Sequence, residues 1–409
     1  MKILIIHQYY LEQGGAGISR FNQFAKYWTR EGHTVTVVCG MAHYLTGTKP
    51  QKYRGKLIAI EKDNDVTLIR TFVSDAYNKN FLGRMWGYLS FTVSASVGVL
   101  MAGTPDVVIA TSPPLHVGIP GLLASWRWRI PLVFEVRDLW PESAIEVGVL
   151  KNRFLIATAL WLEKKLYLAA SLIPVLTPAF RDKLIDEKKV PREKIILLPN
   201  GADMDLLRVT TPREIMRQRL GIENAYTVLY IGAHGIANHL DQILDAAALL
   251  KDRADIVFLL MGEGMKKKEL QDRAQREGLK QVAFLDPMPK EKIADMIEAC
   301  DAGLAVLKKL DIFKTVYPNK VFDYMACSRP VILAIDGAAR DLVVQGAHAG
   351  VFCEPENPHD LKEKILFLAG NREKGEELGR NGYSFVTAHY TREALAETYS
   401  NALKLITNQ

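Results

Sequence analysis

The sequence predicts an α/β protein of two doubly wound parallel sheets, each Rossmann-like. Three observations carry that expectation. The chain has 409 residues, too many for one hydrophobic core. Short apolar, β-branched runs alternate with longer stretches of helical period, the pattern of strand–helix–strand units. The alternation then starts afresh after Pro199-Asn200-Gly201-Ala202-Asp203, so the whole pattern occurs twice.

In the first half, residues 2–7 (KILIIH) form a strand and 17–30 a helix. The apolar stretch of MKILIIHQYY is too short for a secretion signal, which supports the strand. Strands follow at 33–39, 66–72, 106–111, 132–136, 171–176 and 194–199. In the second half, strands at 226–232, 255–262, 282–286, 302–307, 330–335 and 350–355 alternate with helices from about Leu240 onward, and 392–405 is the last helix. The domains are placed at 1–205 and 206–387, with a helix over about 388–409 packing back on the first. Residues 81–101 make the most apolar helix. Arg84 and several Ser and Gly interrupt it, short of the roughly 18 apolar residues of a membrane span. Its interior, 89–101, reads as core.

Composition narrows the function classes. Net charge is +6 and mean hydropathy 0.00, an ordinary globular balance with a mild basic excess. That excess suits anionic substrates or a lipid surface. No run of Lys or Arg is interleaved with aromatics, so nucleic acid is not expected as a partner. Cys39, Cys300, Cys327 and Cys353 lack metal-ligand spacing and adjoin apolar runs, which predicts buried free thiols in a reducing compartment.

In open parallel sheets, ligands sit beyond the carboxyl ends of the strands, so strand-to-helix turns matter most. The first such turn carries Gly14, Gly15 and Gly17, which let backbone approach a ligand beside a helix start. It is not GxGxxG; a plain flexible loop is the alternative. The second is VFEVRDLWPESA (133–144), where Glu135, Arg137 and Asp138 end an apolar strand. Buried charges there are costly unless paired or facing a cleft; a structural Arg–Asp pair is the bland reading. The third is YIGAHGIANHLDQ (230–242), where Gly232, His234, Gly235, Asn238 and His239 at a helix start suit a diphosphate. The fourth is Gly262-Glu263-Gly264, with Glu263 facing a cleft or a plain solvent turn. The fifth is TVYPNKVFDYMA (315–326). Pro318, Asn319 and Lys320 open a helix whose positive end favours an anion, and Asp323 lies one turn further in. Together they read as a nucleoside-diphosphate clamp, against the alternative of a surface Lys–Asp pair.

These segments, with REGHTVTVV (30–38), DVVIATSPP (106–114), LTPAF (176–180), PNGAD (199–203) and KVFDYMACSRPV (320–331), resemble retaining glycosyltransferase family 4, in its bacterial surface-polysaccharide branch. The resemblance implies a GT-B fold, its two domains facing a cleft. It implies transfer from a nucleotide-sugar donor, UDP-linked and carrying an N-acetylated or deoxy sugar, to a lipid-linked acceptor, such as an undecaprenyl-diphosphate-linked saccharide, or to a saccharide acceptor. The setting would be O-antigen, capsule or exopolysaccharide assembly, in the cytoplasm at the inner membrane surface. On this resemblance Arg137, Asp138 and Lys320 are the catalytic candidates. Gly14, Gly15, His234, Gly235, Asn238, Glu263, Pro318, Asn319 and Asp323 are the donor-binding ones. No DxD metal motif is read at a strand end and none is usual for this fold, so no metal or other cofactor is expected.

The sequence departs from the family pattern in three places. The usual pair of Glu eight positions apart is represented by Thr315 and Asp323. The Arg and Lys usual at the first turn of the second domain are replaced by His234, Asn238 and His239. Arg137-Asp138 stands where many members have His-Asp. Two other classes stay open: a nucleotide-sugar epimerase of the same shape, and a non-catalytic nucleotide-sugar-binding subunit. Arg84–Trp86 and Trp126–Arg129 are the expected membrane contacts.

Overall fold

The computed structural model describes residues 1–11, 20–42, 48–76 and 81–408, without the side chains of Phe81, Leu82 and Arg84. The chain divides into two units, one running from Met1 to Pro199 and resuming at Glu393, the other from Asn200 to Arg392.

The first unit holds β1 (Lys2–Ile6), β2 (Thr34–Gly40), β3 (Ile58–Asp63), β4 (Val66–Thr71), β5 (Val107–Ser112), β6 (Leu132–Val136), β7 (Ile173–Val175) and β8 (Ile195–Leu197). Among the described residues they form one sheet in the order β3-β4-β2-β1-β5-β6-β7-β8. Every pairing is parallel except β3 with β4. Strands β5 and β6 are buried at every residue, as expected of central parallel strands covered on both faces. The antiparallel edge strand β3 is an addition to the sequence reading. It is half-exposed and only its first three residues are apolar, the last three being Glu61, Lys62 and Asp63, so it lacks the apolar run that marks its neighbours.

Beneath this sheet Phe24, Trp28 and Tyr399 pack ring on ring, with centroids 5.3–5.8 Å apart. Trp28 Nε1 donates to Ala396 O at 2.9 Å, so the buried indole N–H is satisfied by the last helix, Arg392–Thr407. The four cysteines are free and buried.

The second unit holds β9 (Tyr226–Ile231), β10 (Ile256–Met261), β11 (Val282–Leu285), β12 (Ala302–Val306), β13 (Val331–Ala334) and β14 (Gly350–Phe352). They form a parallel sheet in the order β11-β10-β9-β12-β13-β14. The order reverses at β9, the first strand of the unit, and its neighbour β12. The corresponding reversal in the first unit lies between β1 and β5. Both sheets are therefore doubly wound, and each has one switch point where a crevice opens at the carboxyl end.

Candidate active site

At the second unit's switch point, β9 and β12 pair only through Ala302↔Val228 and Gly303↔Leu229, then part. Tyr324 fills the gap. Its Oη accepts from Ile231 N and donates to Leu229 O, both at 3.0 Å. Gly303 is required beneath it, since a Cβ there would overlap the Tyr324 ring. One tyrosine thus locks the helix Asn319–Ala326 against the end of β9.

That helix begins at Asn319, with Pro318 before it and no side chain capping it. Val321 N donates to Pro318 O at 3.2 Å, and the N–H groups of Asn319 and Lys320 before it are those that a helix start leaves for some other acceptor. Lys320, in the first turn, is partly buried and turns back toward β9. Its Nζ lies 3.7 Å from the centroid of the Tyr230 ring. A Cβ on Gly232 would come within 2.9 Å of the same nitrogen, so glycine makes the room. Among the described residues no carboxylate pairs with Lys320, and burial lowers its pKa from 10.5 to about 7.

His234 follows two residues after Gly232. It is 0% exposed and neither ring nitrogen has a partner. Burial, with Lys267 and Lys320 adding to it against Glu263, pulls its pKa down to about 4, so the ring is neutral at physiological pH. The backbone around it is stitched to the β10 loop: His234 N donates to Glu263 O and Lys266 N to His234 O, each at 2.9 Å. This contact accounts for Gly262 and Gly264. Gly262 has φ +151°, and a Cβ there would overlap Gly232 O; one on Gly264 would sit 2.5 Å from His234 O. Glu263 itself is held on the outside, its Oε2 3.3 Å from Lys267 Nζ, which also meets Asp286 at 2.8 Å.

The sequence placed the helix from about Leu240, with His234, Asn238 and His239 at its start. The helix runs Asp241–Ala248 as expected, and His234, Asn238 and His239 lie in the loop before it. Asn238 N donates to Gly235 O at 3.3 Å, closing a turn. His239 Nδ1 lies 3.2 Å from Glu356 Oε1, which ties it toward the region after β14. Asp323, also buried, receives Lys290 Nζ on Oδ2 at 2.5 Å. Thr315 Oγ1 donates to Ile312 O at 2.6 Å.

In the first unit, Arg137 and Asp138 follow β6 directly. Arg137 N donates to Ser112 O at 2.9 Å and Nη2 to Pro113 O at 3.5 Å, joining the ends of β6 and β5. Asp138 Oδ2 accepts from Ser143 Oγ at 2.9 Å. Burial raises its pKa, partly opposed by the bonds from Ser143 and the Leu139 backbone. His7, at the end of β1, is buried, and its pKa is lowered first by burial and then by Arg137. Glu135, the third charge of the motif, is structural. It is fully buried and meets Arg20 Nε at 2.9 Å, and Arg20 also donates to Pro199 O and Leu198 O. Glu142 and Glu163 share Lys188, fixing the turn after Asp138. Gly14 and Gly15 lie outside the described residues.

Two DxD triplets do stand in the chain, which corrects the sequence reading. Asp63-Asn64-Asp65 is the β3–β4 hairpin turn, with Asn64 at φ +53°. Asp203, of Asp203-Met204-Asp205, is buried against Arg392 Nε at 2.9 Å.

Each half of the chain matches a known family. Residues 15–201 match the Glycosyl transferase 4-like domain, and residues 212–385 match Glycosyl transferases group 1. Both halves are glycosyltransferase domains. An uncharacterized glycosyltransferase of Methanocaldococcus jannaschii is 32% identical over 157 residues, which is 38% of this chain and 42% of that protein's length. A protein of Escherichia coli K12, named as a colanic acid biosynthesis glycosyl transferase, is 24% identical over 87% of this chain and 86% of its own. Among solved structures, an Anabaena protein in complex with UDP superposes with a TM-score of 0.73 at 19% identity, covering 99% of this chain and 100% of that one. The fold is GT-B, and the second glycosyltransferase domain carries Lys320 at its switch point.

Side chains at this site that the sequence reading passed over are Tyr230, Tyr324, Lys267 and Lys290. Tyr230 and Tyr324 have the look of core residues in sequence, and Lys267 sits in an exposed-looking run of three lysines.

Proposed function

We propose that this chain transfers a sugar from a nucleotide-diphosphate donor, UDP-linked, to a lipid-linked saccharide acceptor in cell-surface polysaccharide assembly. The observation that carries the reading is Lys320: a cation without an acid partner among the described residues, at the start of an uncapped helix, at the switch point of a group 1 glycosyltransferase domain. Such a place is built for an anion. The names of the Escherichia coli relative and the UDP complex of the Anabaena structure support the polysaccharide setting and the nucleotide.

The reaction proceeds with retention and without an obligatory metal. The bond from the anomeric carbon to the β-phosphate oxygen breaks, the acceptor oxygen bonds to that carbon, and its proton passes to the phosphate oxygen. Lys320 and the free N–H groups beside it stabilise the charge gathering on the leaving diphosphate. Neutral His234 lines the same turn without adding charge. Asp323 binds the ribose diol through the oxygen that Lys290 does not hold. Arg137 and Asp138, at the carboxyl end of the first unit's β6, are the candidates for acting on the acceptor.

The acceptor side is supported by exposed apolar faces in the first unit. The helix Phe81–Met101 buries Phe91, Ala95 and Val99 and exposes Trp86 (56%), Leu89, Val93 (60%), Val97 and Leu100. The reading of 89–101 as core therefore holds for one face only. Trp126 (77%) of the helix Gly118–Trp128, and Phe154 and Trp161 of the helix Arg153–Ala169, are exposed too. No helix among the described residues is long and apolar enough to cross a membrane. An interfacial contact at the cytoplasmic face of the inner membrane accounts for these faces.

The test is nucleotide release from UDP-, GDP- and ADP-sugars, with and without EDTA, in the presence of extracted bacterial lipids. UDP release with sugar carried into the organic phase is expected. Release of free epimerised sugar, or no turnover of a nucleotide that binds, contradicts the reading.

A further inference from the structure

We propose that Tyr230 is the positioning residue for Lys320, its ring face taking the place that a carboxylate usually fills beside a buried lysine. This rests on the reading of Lys320 as the diphosphate cation and adds what holds that cation in wait.

The geometry sets Tyr230 apart from an ordinary core tyrosine. It is fully buried near the carboxyl end of β9, and its Oη donates to Ala233 O at 2.9 Å, so the ring cannot swing. The Lys320 ammonium lies 3.7 Å from the ring centroid, well inside the range of a cation–π contact. Among the described residues, the other groups near the lysine leave it without a counter-ion. His234, from the loop after β9, is a neutral ring whose own pKa is lowered by Lys320. Asp323, one turn along the same helix, is taken by Lys290. Glu263, on the β10 loop, is taken by Lys267. Tyr324, on the Lys320 helix, spends its hydroxyl on Leu229 and Ile231.

The chemistry of the arrangement follows. A carboxylate would hold the lysine equally well but would have to be displaced, and would repel the incoming diphosphate. A π face attracts the ammonium, fixes its direction and adds no net negative charge, so the cation meets the diphosphate undiminished. The ring also favours the charged form against burial. Without it, Lys320 loses its proton more readily.

The experiment is calorimetric titration of the full chain with UDP-glucose and GDP-glucose between pH 5.5 and 8.5, where the diester diphosphate of both probes keeps a constant charge. In the wild type, affinity falls as pH rises through the titration of Lys320. Tyr230→Phe keeps the ring face and retains this profile. Tyr230→Leu binds about tenfold more weakly at pH 8, with the falling limb about one pH unit lower. Lys320→Ala binds weakly at every pH and lacks the limb. A Tyr230→Leu variant with lower melting temperature but an unmoved limb would show a merely structural tyrosine and overturn the proposal. A Lys320→Ala variant with wild-type affinity and limb would overturn the reading of Lys320, and this proposal with it. If neither probe binds the wild type at millimolar concentration, both fall.

Discussion

Replacing Lys320 by methionine is expected to stabilise the ligand-free protein while removing most of its transfer activity. The lysine is partly buried with no acid paired to it among the described residues, and holding its charge there costs free energy. The drop in pKa from 10.5 to about 7 sets a ceiling of about 5 kcal/mol on that cost at neutral pH. Residual solvent access reduces it, and an expected gain of roughly 1–2 kcal/mol for the methionine variant is the working figure. For a unit of this size that is a rise of a few degrees in melting temperature. The sign with pH is fixed. Below about pH 7 both folded and unfolded chains carry the proton and the penalty is full. Between about 7 and 10.5 the unfolded chain binds the extra proton, so wild-type stability climbs with pH; above 10.5 the penalty is gone. Chemical denaturation of wild type and Lys320→Met at pH 6.5, 8 and 9.5 measures this. The gap should be widest at 6.5 and narrow toward 9.5, while kcat falls by the equivalent of about 2–4 kcal/mol of transition-state stabilisation. A methionine variant that is less stable than wild type at all three pH values refutes the argument that this cation is desolvated and unpaired.

Asp323→Ala should raise the donor KM more than it lowers kcat, and should cost about 3 kcal/mol of stability by stranding Lys290; adding Lys290→Met should restore stability but not KM, as denaturation and kinetics on the pair will show. Asp323→Glu should keep part of the activity. Gly262→Ala should unfold or badly destabilise the second unit, since its Cβ meets the Gly232 carbonyl and φ is +151°; circular dichroism on the soluble fraction reads this, and a wild-type melting curve contradicts the loop–loop contact. Changing Leu89, Val93 and Val97 together to Ser should leave the melting temperature within a few degrees yet weaken sedimentation with anionic liposomes about tenfold or more, because the exposed face is altered and the buried one is not.

Which parts of this protein could be read from its sequence follows from physics. Central parallel strands are buried on both faces, so β10, β12 and β13 appear as unbroken apolar runs and β1, β5, β6 and β9 as runs with at most two polar residues. The edge strand β3 pairs on one side only, ends in three consecutive charged residues, and looks like loop. The helix Phe81–Met101 is apolar nearly all round, and sequence alone cannot say that Val93 is exposed while Phe91 is buried. At the site, the turns were legible because Gly, His, Asn and Lys interrupt apolar runs. The partners were not. Tyr230 and Lys320 are 90 positions apart, Lys290 and Asp323 are 33 apart, and nothing local announces either pair. Gly262 and Gly264 looked like a ligand-facing or solvent turn because glycine marks any close approach; here the approaching atoms are the backbone of Gly232 and His234.

The central claim is that the crevice between β9 and β12 binds the diphosphate of a nucleotide-sugar donor through Lys320. The most direct measurement is calorimetric binding of UDP to wild type and Lys320→Ala at pH 7. Micromolar binding to the wild type, weakened at least tenfold in the variant at unchanged fold, is the predicted result. Equal affinity in the two proteins would contradict it.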